Sequence, residues 1–103
     1  MTHAAAKMCL LAAALALCAA AQGAEPALGR DVAANCANCH GTDGRSRGGI
    51  PSLAGRDKAE LVRQMQDFRS GKRPSTVMAQ LAKGYSEAQI EAAAAYFAAQ
   101  AKD

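Results

Sequence analysis

Apolar residues recur every three or four positions in three stretches of the chain, a spacing that places side chains on one face of a helix. These positions are Leu28, Val32 and Cys36, then Leu61, Met65 and Phe68, and finally Ile90, Ala94, Phe97 and Ala101. No stretch shows the alternation of apolar and polar residues that is typical of a strand. The pattern therefore predicts an all-α domain with helices over roughly residues 28–39, 57–70 and 86–101.

Local signals predict where these helices begin and end. Two pairs of residues have the spacing of a capping box, and these pairs are Asp57 with Glu60 and Ser86 with Gln89. The second helix is expected to end at Ser70-Gly71. A short helical turn is expected over residues 79–83, because Gly84 follows it.

Gly29 lies in the first predicted helix and is open to two interpretations. A residue without a side chain allows another helix to cross closely, and Tyr96 or Phe97 of the last helix would then cover it. The other interpretation is a simple turn at the start of the helix.

The chemistry of the chain is indicated by Cys36-Ala37-Asn38-Cys39-His40, which has the attachment pattern of c-type haem. Two thiols one helical turn apart can each bond one vinyl group of the same porphyrin, and the imidazole that follows can bind the iron. The sequence thus predicts one covalently attached haem c, with Cys36 and Cys39 as attachment residues and His40 as an axial ligand.

Two other sites also use such a pair of cysteines. A structural zinc site needs four ligands, whereas the remaining cysteines and histidine lie in an N-terminal stretch that we expect to be removed. A thioredoxin-like redox pair belongs to a βαβ setting, for which the sequence gives no strand pattern.

The segment from Gly41 to Gly55, which we call the Gly-rich loop, contains five glycines and one proline. This composition favours an irregular loop that can lie against a flat cofactor, with Ile50 and Leu53 touching the ring. A histidine that binds a metal usually donates its second N–H to a carbonyl or carboxylate. We expect the carbonyl of Pro51 to be that acceptor, although Pro51 could equally be a plain turn residue.

A second axial ligand would close the haem iron to small molecules, and two methionines are candidates. Met65 falls on the apolar face of a predicted helix, so core packing explains it. Met78 lies at the end of a loop that contains Pro74, from which it can reach the far side of the ring. We expect Met78 to be the sixth ligand on the precedent of His/Met ligation. The alternative is that it fills the core.

The N-terminus has the features of an export signal. Lys7 is followed by an apolar run over residues 8–21, and residues 21–23 have the small-x-small form that suits signal peptidase. We expect residues 1–23 to be a signal peptide and residues 24–103 to be a cytochrome domain exported to the periplasm. The run is shorter than the ~20 residues of a membrane-spanning helix, so no transmembrane segment is expected after cleavage. Lipid attachment at Cys18 is disfavoured by the bulk of Leu17.

Composition excludes one class of function and suggests a role for the cofactor in folding. The formal net charge is only +3, which gives no support to nucleic-acid binding. The chain has no tryptophan and few large apolar residues, and small domains of this kind usually need a staple or a cofactor. We therefore expect the haem-free protein to be largely unfolded.

These motifs together resemble the class I c-type cytochromes. The likeness covers nearly all of residues 27–101, although Val32 stands where many members have an aromatic residue. The resemblance implies a small all-α fold of three to five helices around one low-spin haem, with one haem edge exposed. It also implies haem-binding roles for Cys36, Cys39, His40 and Met78, and supports one for Pro51.

Residues 65–78 and 82–86 are similar to a narrower family, the cytochrome subunit of flavocytochrome c sulfide dehydrogenase. In that family the cytochrome accepts electrons from a flavoprotein that oxidises sulfide. The single haem motif of this chain corresponds to the single-haem form. The resemblance implies that the flavoprotein performs catalysis, and that this chain only carries electrons.

Three functions remain open at the level of sequence. The first is a periplasmic electron carrier, whose basic residues on the two loops expected to frame the haem would attract an acidic redox partner. These residues are Arg45, Arg47, Lys72, Arg73 and Lys83. The second is gas binding or peroxide chemistry at a five-coordinate haem, which requires Met78 to be off the iron. The third is an accessory domain that only docks another oxidoreductase.

Overall fold

The computed structural model describes residues 26–102. The predicted signal peptide, residues 1–23, lies outside the described residues. The described chain forms helix α1 over residues 26–40, a 3-10 turn at Thr42–Gly44, and helices α2 (Lys58–Ser70), α3 (Met78–Ala82) and α4 (Glu87–Ala98). Residues 26–102 contain no strand, and the predicted all-α fold is confirmed.

The predicted N-cap residues of α2 and α4 are both in place, but only α4 has the complete capping box that was predicted for each helix. The Asp57 carboxylate accepts a hydrogen bond of 2.9 Å from the backbone N–H of Glu60, and α2 ends at Gly71 in the left-handed conformation. The Glu60 carboxylate accepts from Arg56 and Gln64 instead of returning to the cap. At the start of α4, Ser86 and Gln89 form the complete capping box.

Helix α4 ends three residues earlier than the predicted Ala101, because its last carbonyl groups are used elsewhere. The Phe97 carbonyl oxygen accepts a hydrogen bond of 2.8 Å from the Gly55 N–H, and a second from Gln100. The Gln100 side chain donates to the Tyr96 carbonyl. These bonds fix the chain after Ala98 to the Gly-rich loop, and the prediction of helix through residue 101 was wrong.

Helices α1 and α4 cross closely at Gly29. A Cβ added at this residue would lie 2.4 Å from the carbonyl oxygen of Ala92 and 3.3 Å from Cβ of Tyr96. Of the two interpretations of Gly29, the structure therefore supports the helix crossing, with Tyr96 as the residue that covers it. Because the crossing fixes α1 against α4, it also fixes the end of α1 that carries the cysteine–histidine motif.

The core is small and rich in alanine. Helix α2 packs against both α3 and α4, and ion pairs of Arg69 with Glu87 and of Lys58 with Glu91 connect α2 to α4 at the surface. The buried apolar residues are Val32, Ala33, Ala54, Leu61, Val62, Ala82, Ile90, Ala93, Ala94 and Phe97. Half of them are alanines, so the apolar area buried per residue is low. Among the described residues, no helix has the length and hydrophobicity to cross a membrane.

Candidate functional site

The cysteine–histidine motif occupies the last turn of α1. Cys36 is half-buried, packs against the core, and places its Sγ 3.8 Å from the Val32 carbonyl. Cys39, one turn further along the helix, is exposed. Both are free thiols, and their three-residue spacing along a helix puts them on the same side of α1.

The two thiols differ in their electrostatic surroundings. Burial, and secondarily the charge of a neighbouring Cys39 thiolate, raises the pKa of the Cys36 thiol above its ordinary value. The Cys36 side chain therefore favours the neutral S–H form at neutral pH. A neutral thiol at this position is compatible with a partly apolar surrounding.

His40 follows at the end of α1 and contacts the Gly-rich loop. Its Nδ1 lies 2.7 Å from the carbonyl oxygen of Pro51, the contact expected from sequence. A carbonyl oxygen can only accept a hydrogen bond, so Nδ1 carries the proton and donates it. In the neutral imidazole this leaves the lone pair on Nε2, which is the atom free to bind iron.

Two backbone hydrogen bonds join the beginning of the Gly-rich loop to its end. The Gly44 carbonyl oxygen accepts hydrogen bonds from the backbone N–H groups of Leu53, at 2.8 Å, and Ala54, at 3.2 Å. Ile50, next to Pro51, is 43% exposed. Leu53 is half-buried and packs against the core. The structure thus leaves Ile50 accessible to a ligand and assigns part of the Leu53 surface to packing.

Met78 is the first residue of α3 rather than the last residue of a loop. The helix begins there because the Val77 carbonyl accepts from the N–H groups of Gln80 and Leu81. The Ser75 hydroxyl also accepts a hydrogen bond of 2.8 Å from the Ala79 N–H. Met78 is half-buried. The other candidate, Met65, is packed against the core as its helical position predicts.

Large apolar side chains remain exposed beside the predicted ligands. Val77 and Leu81, one residue before and three residues after Met78, are 53% and 48% exposed, and Ile50 precedes Pro51. A planar apolar group bound between His40 and Met78 would be able to cover such side chains. Together with two thiols one turn apart and a histidine whose Nε2 is free, these residues fit a covalently attached haem.

Residues 26–102 offer no group of three or more His, Cys, Asp or Glu side chains arranged to bind a metal ion.

A pair of residues that the sequence did not single out also contacts this region. The Tyr96 hydroxyl donates a hydrogen bond of 2.5 Å to the Asp43 carboxylate, across 53 positions of the chain. This bond is the largest cause that raises the pKa of Tyr96 above its ordinary value, and burial is the second. No local sequence signal could have found the pair, because neither residue belongs to a motif that specifies the other.

The predicted basic residues lie at the surface with different surroundings. Arg47, Lys72, Arg73 and Lys83 are exposed, and the Arg73 guanidinium lies 4.9 Å from the centre of the Phe68 ring. Arg45 is half-buried and pairs with the Asp43 carboxylate at 3.4 Å. It also donates to the Ala101 carbonyl, so part of its charge is already compensated within the chain.

The chain is similar to proteins that carry haem. A family model described as cytochrome C oxidase, cbb3-type, subunit III matches residues 23–97. The cytochrome subunit of sulfide dehydrogenase from Chlorobaculum tepidum is 44% identical over 69 residues, which are 67% of this chain and 63% of that protein. Cytochrome c-554(548) from Halomonas halodenitrificans is 34% identical over 80 residues, which are 74% of this chain and 96% of that protein.

A solved structure shows the same fold. The cytochrome c4 of Acidithiobacillus ferrooxidans matches with a TM-score of 0.59 and 40% identity, over 61% of this chain and 37% of that one. The chain therefore spans less than two thirds of both the sulfide dehydrogenase subunit and the cytochrome c4 chain.

Proposed function

The chain belongs to the cytochrome c family, with the class I fold and covalently attached haem c, and we propose that it is a periplasmic carrier of single electrons. Its donor in this proposal is a flavoprotein that oxidises sulfide, and the chain itself is not the catalyst. The observation that carries the proposal is the contact between His40 and Pro51, because it leaves Nε2 available for the iron.

Each residue of the site has a role in this proposal. Cys36 and Cys39 would attach the porphyrin, and His40 and Met78 would hold the iron. The haem supplies a metal that changes oxidation state. A thioether ligand stabilises the reduced metal relative to the oxidised metal, and an apolar pocket does the same by disfavouring the extra charge. Both effects raise the reduction potential.

Binding of the iron by both His40 and Met78 would favour electron transfer over the chemistry of an open haem. With both residues bound, a change of oxidation state would require little movement of the surrounding residues. Met78 lies at the N-terminal end of α3, where the Ser75 hydroxyl bonds the next residue. This anchor supports a fixed position for the thioether and disfavours the five-coordinate alternative.

The proposed donor is supported by similarity in sequence. The relative from Chlorobaculum tepidum carries the name cytochrome subunit of sulfide dehydrogenase, and another, from Stutzerimonas stutzeri, is named as a thiosulfate dehydrogenase electron acceptor and is 41% identical over 75 residues. The first name describes a cytochrome and the second an electron acceptor, and each name refers to a dehydrogenase of a reduced sulfur compound. The resemblance of residues 65–78 to the sulfide dehydrogenase subunit favours sulfide for this chain.

The exposed basic residues give the proposed partner a charge to recognise. Lys72 and Arg73 follow α2, Lys83 follows α3, and Arg47 lies in the Gly-rich loop. Positive charge around an exposed haem edge would accelerate association with an acidic protein surface, and this acceleration would weaken at high ionic strength. Arg45 contributes less, because Asp43 already pairs with it.

Export to the periplasm follows in this proposal from the expected signal peptide over residues 1–23. Removal of that segment would leave a domain of residues 24–103. Covalent haem attachment in bacteria requires an exported chain, so the motif and the signal support the same compartment.

The experiment that tests the proposal uses the holoprotein with and without a sulfide-oxidising flavoprotein from the same organism. Sulfide is expected to reduce the haem rapidly only when the flavoprotein is present, with rates that fall as salt is added. Replacement of Lys72 and Arg73 by glutamine should lower the rate, whereas Arg63→Gln on the exposed surface of α2 serves as the matched control. Equal rates with and without the flavoprotein would contradict the proposed donor.

A further inference from the structure

Asp43 connects the start of the Gly-rich loop to the last helix. It lies three positions after His40, and its carboxylate accepts the hydrogen bond from Tyr96 of α4. Asp43 has φ of 54°, and it is the one non-glycine residue with positive φ among those that the structure describes. Aspartate tolerates this conformation better than most residues, and its carboxylate here has Tyr96 and Arg45 as partners.

The residue next to Asp43 extends the connection to α4. Gly44 is buried, and a Cβ added to it would lie 2.8 Å from Cδ1 of Phe97 and 2.9 Å from the backbone nitrogen of Ala54. Its carbonyl oxygen bonds the N–H groups of Leu53 and Ala54. Residues 43 and 44 are thus fixed by the neighbouring side chains of Tyr96 and Phe97.

The other end of the Gly-rich loop is fixed by the same turn of α4. The Gly55 N–H donates a hydrogen bond of 2.8 Å to the Phe97 carbonyl. Between the two ends, Gly48 and Gly49 have no other atoms within 4 Å of an added Cβ. A bond from the Ser46 N–H to the Ser52 hydroxyl, at 2.9 Å, lies within the loop itself. The contacts that fix the loop against α4 therefore lie at its two ends, while Pro51 between them contacts His40 of α1.

Pro51 lies in this loop and provides the acceptor for His40. A displacement of the loop would lengthen that hydrogen bond. The Asp43–Tyr96 bond would act on it only through the position of the loop, because it joins neither His40 nor Pro51. The strength of a hydrogen bond from the second ring nitrogen affects the basicity of a metal-bound histidine. The electron density delivered to the iron is therefore sensitive to the position of the loop.

We propose that Asp43 and Tyr96 are positioning residues for His40: their hydrogen bond fixes the Gly-rich loop so that the Pro51 carbonyl accepts from Nδ1, and this lowers the reduction potential of the haem. The inference rests on the proposed binding of iron by His40. The loop that the pair fixes contacts His40 through Pro51, so loss of the Asp43–Tyr96 bond is expected to act on the iron through His40.

A purely structural role for the pair predicts different observations. If the bond only fastened α4 to the rest of the fold, its removal would lower the free energy of unfolding and leave the His40–Pro51 bond intact. The two roles are therefore separated by the reduction potential and by the exchange rate of the His40 Nδ1 proton.

The experiment compares the wild-type holoprotein with Tyr96→Phe, which removes only the hydroxyl, and with Asp43→Asn. Asparagine keeps an oxygen acceptor and tolerates positive φ, but a neutral acceptor makes a weaker bond than a carboxylate. Glu91→Gln is the matched control, because Glu91 lies on α4 like Tyr96. The substitution removes the ion pair of Glu91 with Lys58 of α2. The midpoint potential is measured by optical titration, and proton exchange at Nδ1 by NMR of the reduced protein.

Tyr96→Phe is expected to raise the midpoint potential and to accelerate exchange of the Nδ1 proton by about fivefold or more, the factor that corresponds to loss of about one hydrogen bond. Asp43→Asn should fall between Tyr96→Phe and wild type, and Glu91→Gln should match wild type. Wild-type potential and exchange in both Tyr96→Phe and Asp43→Asn would overturn the proposal, and Asp43→Asn alone decides it if Tyr96→Phe does not fold.

Failure of iron binding by His40 is recognised separately. It would appear in the wild-type protein itself, as a haem spectrum without the low-spin form. In that case the electron-carrier proposal fails before any variant is compared, whereas failure of the positioning proposal leaves the wild-type spectrum low-spin.

Discussion

The imidazole of His40 and the carbonyl of Pro51 are joined by a hydrogen bond of 2.7 Å, although the residues are 11 positions apart. The bond determines which ring nitrogen carries the proton and so which one can bind a metal. It also makes the Gly-rich loop part of the proposed haem site, because the acceptor lies on that loop. The contact between the end of α1 and the Gly-rich loop thus leaves Nε2 of His40 available for the proposed iron.

Substitution of Gly29 tests the helix crossing. Gly29→Ala is expected to destabilise the holoprotein by at least about 1 kcal/mol, because the new Cβ would overlap the Ala92 carbonyl. Overlap at a fixed crossing outweighs the gain in helix propensity, which is itself about 1 kcal/mol. The control is denaturant unfolding of Gly48→Ala, because a Cβ added at Gly48 would have no neighbouring atoms within 4 Å. A Gly29→Ala protein as stable as wild type would mean that α1 and α4 are not this close.

Substitution of Ser75 tests the anchor of the Met78 side of the haem. Ser75→Ala removes the acceptor of the Ala79 N–H at the start of α3, a loss that typically costs about 1 kcal/mol at a helix N-terminus. The reduced Ser75→Ala protein should therefore bind carbon monoxide faster than wild type, as Met78 leaves the iron more readily. Ser70→Ala, which removes a hydroxyl at the end of α2, should bind it at the wild-type rate.

The stability at alkaline pH tests the pair of Tyr96 and Asp43. The bond to Asp43 raises the pKa of Tyr96, so the neutral phenol is favoured in the folded state. This contribution to stability is fully present below the ordinary tyrosine pKa of about 10 and is lost as pH rises through the raised value. Unfolding of wild type should therefore become easier above that range, and Tyr96→Phe should lack this part of the pH dependence. An identical alkaline profile in both proteins would argue against the bond.

Removal of the haem tests whether the small core is sufficient by itself. Half of the buried apolar residues are alanines, and domains of this size gain little stability from a single core. The double variant Cys36→Ser, Cys39→Ser cannot form the thioether bonds and is expected to lose most of its helical circular dichroism. Cooperative thermal unfolding of the haem-free variant, with helix content like that of the holoprotein, would show that the polypeptide folds without the cofactor.

The parts of the structure that were predictable are those encoded by neighbouring residues. The capping box of Ser86 and Gln89 and the glycine end of α2 are local signals, and both are present. The acceptor for His40 was predictable because a metal-bound histidine needs one and because the loop that follows is short.

The parts that were missed depend on contacts between distant residues. Helix α4 stops early because Gly55 bonds the Phe97 carbonyl, and no residue near position 98 signals this end. The contact of Asp43 with Tyr96 spans 53 positions and follows from the crossing of α1 and α4. Such contacts become visible only when the helices are placed relative to one another.

The near-infrared spectrum of the oxidised holoprotein tests iron binding by Met78, because a thioether bound to Fe(III) produces a weak absorption band in this region. We expect the band in wild type and in Met65→Leu, and its loss in Met78→Ala. Absence of the band in wild type, or its persistence in Met78→Ala, would contradict an iron bound between His40 and Met78.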